Sequence, residues 1–151
     1  MKNSTRLLLV MLLILGTSSC RYEDGPYISF SSPETRLVGY WKLNKTELNG
    51  NEVTTPSNIS NLPGNYFAFF IERMLAVTTV KDGVITESVS GYWEFQNNEK
   101  ELIVNFVLAN KKYCYIAEIK RLTKKELVYE YTDENGDTWN LTFDSRSNLY
   151  Y

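Results

Sequence analysis

The stretch ELVYEYTDENGDTWNLTFD, residues 126–144, decides the fold because it holds two segments of alternating hydrophobicity around a turn motif. The apolar positions are Leu127, Tyr129 and Tyr131 in the first segment and Trp139, Leu141 and Phe143 in the second. Successive side chains of a β-strand point to opposite faces, so each segment presents one apolar face. Asn135-Gly136, between the segments, suits the positive φ angles of a tight hairpin turn. The stretch therefore predicts an antiparallel hairpin with one buried face.

The same alternation, interrupted by turn dipeptides such as Asn49-Gly50 and Asp82-Gly83, continues through most of the chain. It predicts strands at 37–48, 65–72, 74–81, 84–95, 101–109, 113–123, 126–133 and 137–144. Pro63 is the last proline, as a continuous hydrogen-bonded sheet requires. Short connections imply antiparallel neighbours in up-and-down order, and closure into a barrel removes exposed edges. We therefore predict an all-β fold, an antiparallel up-and-down β-barrel of about eight strands, with an open meander or a sandwich as the alternatives.

The composition argues against catalysis. The chain of 151 residues contains no histidine, which removes the commonest general base and the commonest metal ligand. The two cysteines, Cys20 and Cys114, are too few for a disulfide framework or a cysteine-rich zinc site. Cys114 lies between two tyrosines on a predicted strand and is expected to be a small buried hydrophobic residue. We predict a protein that is not an enzyme and that uses neither a cofactor nor a metal.

The N-terminal segment has the three-part layout of a secretory signal peptide. Lys2 and Arg6 form a positively charged start, and residues 7–15 are an unbroken apolar run of nine. A membrane-spanning helix needs about 20 apolar residues, so this run is too short to span a bilayer. Residues 1–19 are therefore predicted to be an export signal that is removed from the mature chain.

Thr17-Ser18-Ser19-Cys20 follows the apolar run and resembles the lipobox of bacterial lipoproteins, in which the cysteine is acylated and becomes the first mature residue. The resemblance implies lipid attachment at Cys20, by chains such as palmitate, and a membrane partner reached through those chains. It also implies a cell-envelope location, with the outer membrane as the expected one, facing either the periplasm or the surface. Ordinary signal cleavage near Cys20, which would leave a free thiol, is the alternative.

Residues 20–35 are predicted to be the acylated cysteine and a flexible tether. Glu23-Asp24-Gly25-Pro26 is acidic and turn-like, and Ser31-Ser32-Pro33 is expected to break any regular element. A fully extended tether of this length would let the domain, residues 36–151, stand up to about 50 Å from the bilayer. Without residues 1–19 the chain has 14 cations against 18 anions, a formal charge of −4, so we expect no nucleic-acid partner.

Gly39-Tyr40-Trp41 stands early on the first predicted strand, and Gly91-Tyr92-Trp93 repeats the spacing. This pattern, behind a lipoprotein leader, resembles the small bacterial lipocalin-like, calycin-type domain lipoproteins over roughly Arg36 to Phe143. The resemblance implies that Trp41 plugs one end of the barrel and that Gly39 admits close packing. Trp93 and Trp139 complete the residues expected as barrel signature and core. The larger secreted members also pack an arginine over the tryptophan, whereas the candidate here, Arg146, lies past the final predicted strand.

An eight-stranded barrel has the size at which the interior is either filled by side chains or holds one small ligand. A buried phenol needs a hydrogen-bond partner, which a ligand can supply, so the tyrosines of two neighbouring strands are the candidate ligand-binding residues. They are Tyr113, Tyr115, Tyr129 and Tyr131. The resulting hypothesis is a lipid-anchored envelope lipoprotein with a lipocalin-like barrel that binds a small hydrophobic ligand. The alternative is a structural or interaction module of the cell surface with a filled, ligand-free barrel, whose residues 52–65 contact an envelope protein or a glycan.

Overall fold

The computed structural model describes residues 22–23, 31–54, 59 and 62–148. The predicted signal peptide, the expected lipid-attachment residue Cys20 and most of the predicted tether lie outside these residues. Within them, no helix is both long enough and apolar enough to cross a membrane.

The described residues form one helix and nine strands that close into a barrel. The elements are α1 (Pro33–Leu37), β1 (Gly39–Leu48), β2 (Asn51–Glu52), β3 (Tyr66–Phe69), β4 (Met74–Lys81), β5 (Val84–Gln96), β6 (Glu101–Leu108), β7 (Lys111–Leu122), β8 (Glu126–Thr132) and β9 (Thr138–Arg146). Apart from the two-residue β2, which turns back and pairs antiparallel with the end of β1, each strand pairs antiparallel with the next. β9 pairs back with β1 and completes the ring of eight. The predicted all-β, eight-stranded antiparallel barrel is confirmed, and neither the open meander nor the sandwich is formed.

α1 covers one end of the barrel, which we call the closed end. Ser32 caps this helix, its Oγ accepting from the Thr35 N–H at 3.2 Å. Pro33 occupies the first turn, where its missing N–H removes no helical hydrogen bond. The prediction that Ser31-Ser32-Pro33 breaks any regular element is therefore wrong, because a serine cap followed by proline begins a helix.

Two buried hydrogen bonds join α1 to the barrel. Arg36 Nη1 donates to the carbonyl oxygen of Leu122 at 2.8 Å, and Trp41 Nε1 donates to the carbonyl oxygen of Leu37 at 2.7 Å. Trp41 is 1% exposed and lies at the closed end, where the family resemblance puts it. Arg146 is the last residue of β9 rather than a residue past the final strand, and the arginine that bonds across the closed end is Arg36.

Part of the predicted tether also packs against the closed end. Tyr22 is 3% exposed, its hydroxyl donates to the carbonyl oxygen of Glu99 at 3.0 Å, and the Arg36 guanidinium lies 5.5 Å from the centre of its ring. Beside it, the Glu23 carboxylate lies 3.3 Å from the Nζ of Lys120. The chain therefore contacts the barrel already at residue 22, well before the first strand.

Aromatic rings fill the middle of the barrel. Phe67 makes ring contacts with Phe69, Phe106 and Phe143 at centroid distances of 6.3, 5.8 and 5.1 Å. Well-oriented aromatic pairs stabilise a core by about 0.5–1.5 kcal/mol beyond the area they bury. Ile71, which the alternation places on the inner face with Phe67 and Phe69, is instead 68% exposed. The reason is that β3 ends at Phe69, so Ile71 lies in the following turn.

Of the two glycines that precede a tryptophan by two positions, Gly91 is the one that admits close packing. A Cβ added to Gly91 would lie 2.4 Å from the carbonyl oxygen of Asn105 and 2.7 Å from the Cβ of Phe106, both on the partner strand. At Gly39 no atom lies within 4 Å of such a Cβ, and the residue adopts a φ of +146°. Gly39 therefore supplies backbone freedom at the start of β1, and the close approach implied for it occurs at Gly91.

We expect Gly91→Ala to destabilise the barrel by about 1–3 kcal/mol, because the new methyl group fits only if the backbones of β5 and β6 move apart. Urea unfolding followed by tryptophan fluorescence measures this as a lower midpoint. Ser90→Ala, at the exposed neighbouring position, is the control and should change the free energy of unfolding by less than about 0.5 kcal/mol. Equal midpoints for the two variants would contradict the close approach.

Candidate functional site

The core reaches solvent chiefly at the end opposite α1, which we call the open end. It is bordered by the turns at 49–50, 82–83, 109–110 and 133–137, and the segment before β3 covers part of it, since Gly64 lies close against Val77 and Leu108. Six hydrophobic residues are only partly buried against the core and lie either in the half of the barrel nearest the open end or in the segment between β2 and β3. They are Leu62, Val89, Tyr113, Tyr115, Tyr131 and Leu141. Among the described residues, Val38 and Phe95 alone hold such a position towards the closed end, so the two ends differ in access to the core.

The four predicted tyrosines come together on the inner wall of the open half. Tyr113 and Tyr115 are two residues apart on β7, and Tyr129 and Tyr131 are two residues apart on β8, so all four point into the barrel. The rings of Tyr115 and Tyr131 stack at 3.9 Å and 15°, and the ring of Tyr113 stacks on Phe106 at 4.7 Å and 10°. The alternation that predicts the strands also places these side chains on one wall.

The two deeper tyrosines satisfy each other. The hydroxyls of Tyr115 and Tyr129 lie 2.9 Å apart and share a hydrogen bond. Burial raises the pKa of both phenols well above the ordinary value, and burial also raises the pKa of Tyr131 to about 12. All three phenols are therefore neutral near pH 7.

This arrangement separates the four tyrosines into two kinds. Tyr115 and Tyr129 have their hydrogen-bond partner inside the protein, so neither needs a ligand to satisfy its hydroxyl. Tyr113, Tyr115 and Tyr131 are all only partly buried, and of these Tyr113 and Tyr131 lie nearer the turns of the open end. A ligand-binding role for the four residues remains a prediction, and the geometry assigns the surface nearest the open end to Tyr113 and Tyr131.

The rim of the open end carries one charge of each sign beside these rings. The Lys111 ammonium lies 5.2 Å from the centre of the Tyr113 ring, a cation–π contact. The Asp133 carboxylate accepts from the Trp139 indole N–H at 3.0 Å, and this bond, with those from backbone N–H groups of the turn, lowers the pKa of Asp133. Trp139 is partly exposed here, unlike the other two tryptophans, which are fully buried.

Asp133 holds the acidic β8–β9 turn in shape. Asp133 Oδ1 accepts from the backbone N–H groups of Asn135 and Asp137 at 2.9 and 3.1 Å, which holds the turn in shape. In the part of the chain that the structure describes, no group of three or more histidine, cysteine, aspartate or glutamate residues is placed to hold a metal ion.

Cys114 faces outward, so the prediction of a buried core cysteine is wrong. Tyr113 and Tyr115 point into the barrel, and the residue between them must point out. Its thiol is exposed, and Cys114 lies opposite Asn105 on the outer wall of β6 and β7. The same wall also exposes Ile116, by 55%. The thiol is therefore available to reagents in solution.

A groove of about 310 Å³ lies on the outer wall, not inside the barrel. Its lining includes Lys42, Tyr66, Asp144 and Arg146, which share the face of the sheet opposite the buried Trp41. A ligand held inside the barrel would need an enclosed volume of about 300 Å³ or more. The groove has the size but not the position, so it does not supply the interior cavity of the ligand hypothesis.

No protein-family model matches the chain, and no curated protein was found to match it. The class of protein therefore follows from the fold, a closed eight-stranded antiparallel barrel consistent with a calycin or lipocalin-like architecture.

Tyr129→Phe is expected to destabilise the protein by about 1–3 kcal/mol, because it leaves the buried Tyr115 hydroxyl without its partner. The double variant with Tyr115→Phe should be less destabilised than the sum of the two single variants, since it removes both hydroxyls. Urea unfolding of the four proteins measures the coupling free energy. Strictly additive effects would show that the two hydroxyls make no hydrogen bond in solution.

Proposed function

We propose that this protein is a lipid-anchored lipoprotein of the cell envelope, with a lipocalin-like barrel that binds a small hydrophobic ligand at its open end. The observation that supports the proposal is the difference between the two ends. One end is covered by α1 and the buried Trp41. The other presents the partly exposed rings of Tyr113, which stacks on Phe106, and Tyr131, which stacks on Tyr115.

The packing of the interior supports a position above the core for such a ligand. Phe67, Phe143 and Tyr129 are in ring contact and occupy the middle of the barrel, so a ligand would rest on top of them. There it would meet the faces of Tyr113 and Tyr131, for which a flat apolar molecule is the natural partner because aromatic faces prefer offset stacking. Lys111 and Asp133 at the rim would bind a polar end group if the ligand carries one.

The anchor half of the proposal rests on the leader. The charged start, the nine-residue apolar run and the small residues before Cys20 are the features that support acylation. Stable membrane attachment takes two acyl chains, or one chain together with a second signal such as a polybasic patch. The barrel would then be held at the surface of the outer membrane, facing the periplasm or the cell exterior.

Tyr131→Ala should weaken the binding of a flat apolar probe by about tenfold, the effect of losing roughly one stacking partner. The measurement is a fluorescence titration of the full-length protein with N-phenyl-1-naphthylamine. Tyr92→Ala is the matched control, because Tyr92 is 43% exposed on the outer wall, and it should leave the affinity unchanged. Equal losses in both variants would contradict binding at the open end.

Native mass spectrometry of the protein after exposure to envelope lipid extract tests the same proposal without a chosen probe. A retained small molecule supports it. A uniformly bare barrel favours the second candidate, a structural or interaction module with an envelope protein or glycan partner. The filled interior is the observation that favours this second candidate, since the buried rings complete the core without a ligand.

Cys20→Ala should move the protein from the membrane fraction to the soluble fraction, because it removes the proposed site of acylation. Fractionation and immunoblotting of the producing bacterium measure the distribution. Cys114→Ser is the control and should stay with the membranes, since Cys114 is a distant residue on the barrel wall. Membrane retention of the Cys20→Ala protein would defeat the anchor.

A further inference from the structure

We infer that the closed end of the barrel is a membrane-facing surface that rests on anionic lipid, so that the open end points away from the bilayer. The inference rests on the proposed lipid anchor at Cys20 and deepens it, since it names the face of the domain that meets the membrane. Three independent features of the closed end carry it: the docked Tyr22, the charge of the turns and one exposed isoleucine.

Tyr22 fixes the place from which the anchor leaves the domain. Its ring lies between Arg36 of α1 and the turn that contains Glu99, and the side chain is almost completely buried. Cys20 is two residues earlier in the sequence, and two residues of chain span at most about 7 Å. The reach of about 50 Å, which assumes a tether free as far as residue 35, therefore does not apply. Acyl chains on Cys20 would emerge beside the closed end.

The turns at the two ends have opposite charge. Those at the closed end, residues 70–73, 97–100 and 123–125, together carry four cations against two anions. The cations are Arg73, Lys100, Lys124 and Lys125, and the three lysines are exposed. α1 adds one charge of each sign, Glu34 and Arg36, which balance.

The turns at the open end are acidic. The residues at 82–83, 109–110 and 133–137 carry four anions, and every cation near them belongs to a strand end. Anionic headgroups attract lysine and arginine close to the bilayer surface and repel carboxylates. The charges of the turns therefore favour the closed end towards an acidic membrane, although Lys81, Lys111 and Lys112 at the adjoining strand ends offset part of the negative charge at the open end.

The exposed side chain of Ile71 fits the same orientation. It is 68% exposed in the turn between β3 and β4, beside Arg73, whose guanidinium packs 5.2 Å from the centre of the Trp93 ring. An exposed apolar side chain beside a cation is typical of surfaces that enter the headgroup region of a bilayer, although Glu72 also lies next to Ile71. Ile71, which does not pack in the core, would contact the headgroup region of the bilayer in this orientation.

The orientation sets the distance between the bilayer and the proposed ligand surface. β7 runs the length of the barrel in 12 residues, which at about 3.3 Å per residue and a tilt of about 40° spans about 30 Å. Tyr113 and Tyr131 would then face the aqueous compartment. A ligand would be taken from solution or from a second envelope component, and not from the membrane that holds the anchor.

The test compares two positions by lipid-dependent quenching. A fluorophore is attached to Ile71→Cys at the closed end or to Asn135→Cys at the open end, each in the full-length, lipidated chain with Cys114→Ser. The proteins are placed in vesicles of phosphatidylcholine and phosphatidylglycerol that contain a headgroup-nitroxide lipid. We expect quenching at position 71 to exceed that at position 135 several-fold. Equal quenching, or stronger quenching at position 135, overturns the inference.

Two further variants separate the contributions. Tyr22→Ala should remove most of the difference between the two positions while the protein stays on the vesicles, because the released chain lets the barrel tumble. Lys124→Glu together with Lys125→Glu should reduce the difference on phosphatidylglycerol vesicles and leave it unchanged on pure phosphatidylcholine. A difference that survives both variants would show that neither the docked tyrosine nor the charge orients the barrel.

The same samples distinguish this inference from the proposed anchor. Co-sedimentation with vesicles reports attachment, whereas quenching reports orientation. Protein that sediments with the vesicles but shows equal quenching keeps the anchor and loses the membrane-facing surface. Protein that does not sediment loses the anchor and, with it, the inference. Circular dichroism melting of Tyr22→Ala verifies that the variant is folded at the temperature of the measurement.

Discussion

The pairing of β9 with β1 is the constraint on which the rest of the structure depends. The two strands pair over residues 40–48 and 139–146, with one irregularity between Leu43 and Lys45. Without this pairing both strands would be edges, with unpaired backbone groups open to other chains. Closure gives the sheet an inside, an outside and two ends. Closure therefore determines which side chains form the aromatic core and which turns lie at each end of the barrel.

Closure also sets the width of the interior, and the side chains match it. Phe67, Phe106 and Phe143 meet near the middle, and Gly91 lets β5 and β6 approach where a side chain would collide. Because side chains fill the interior, the surfaces that could contact a ligand or a membrane lie at the two ends of the barrel. The closed end collects α1, Tyr22 and lysines, and the open end collects partly exposed rings above acidic turns. The proposed ligand surface and the inferred membrane surface are consequences of one asymmetry, in which a single chain terminus packs over one end of the barrel.

Much of the fold and part of the candidate site were predictable from the sequence, because both follow from a local period. β4 spans the predicted residues 74–81, and the other long strands begin and end within three residues of their predicted bounds. The same period placed the four tyrosines on one wall. The same period also predicts the orientation of Cys114, since a residue between two inward-facing tyrosines points outward. The prediction that Cys114 is buried was wrong because it relied on the usual burial of cysteine and not on this period. Ile71 was misplaced for a different reason, as the pattern runs on past the point where β3 loses its partner.

The sequence by itself determined the strands, their inward faces and the absence of histidine chemistry, because alternation and composition are properties of neighbouring residues. Only the tertiary structure decided that Tyr115 and Tyr129 bond to each other, that a side chain at position 91 but not at position 39 would collide with the partner strand, and that Tyr22 docks on the closed end. These contacts join distant parts of the chain: Tyr22 and Glu99 are 77 residues apart, and Arg36 and Leu122 are 86 apart. Which distant groups meet depends on register and on barrel closure, and no short stretch of sequence encodes either one.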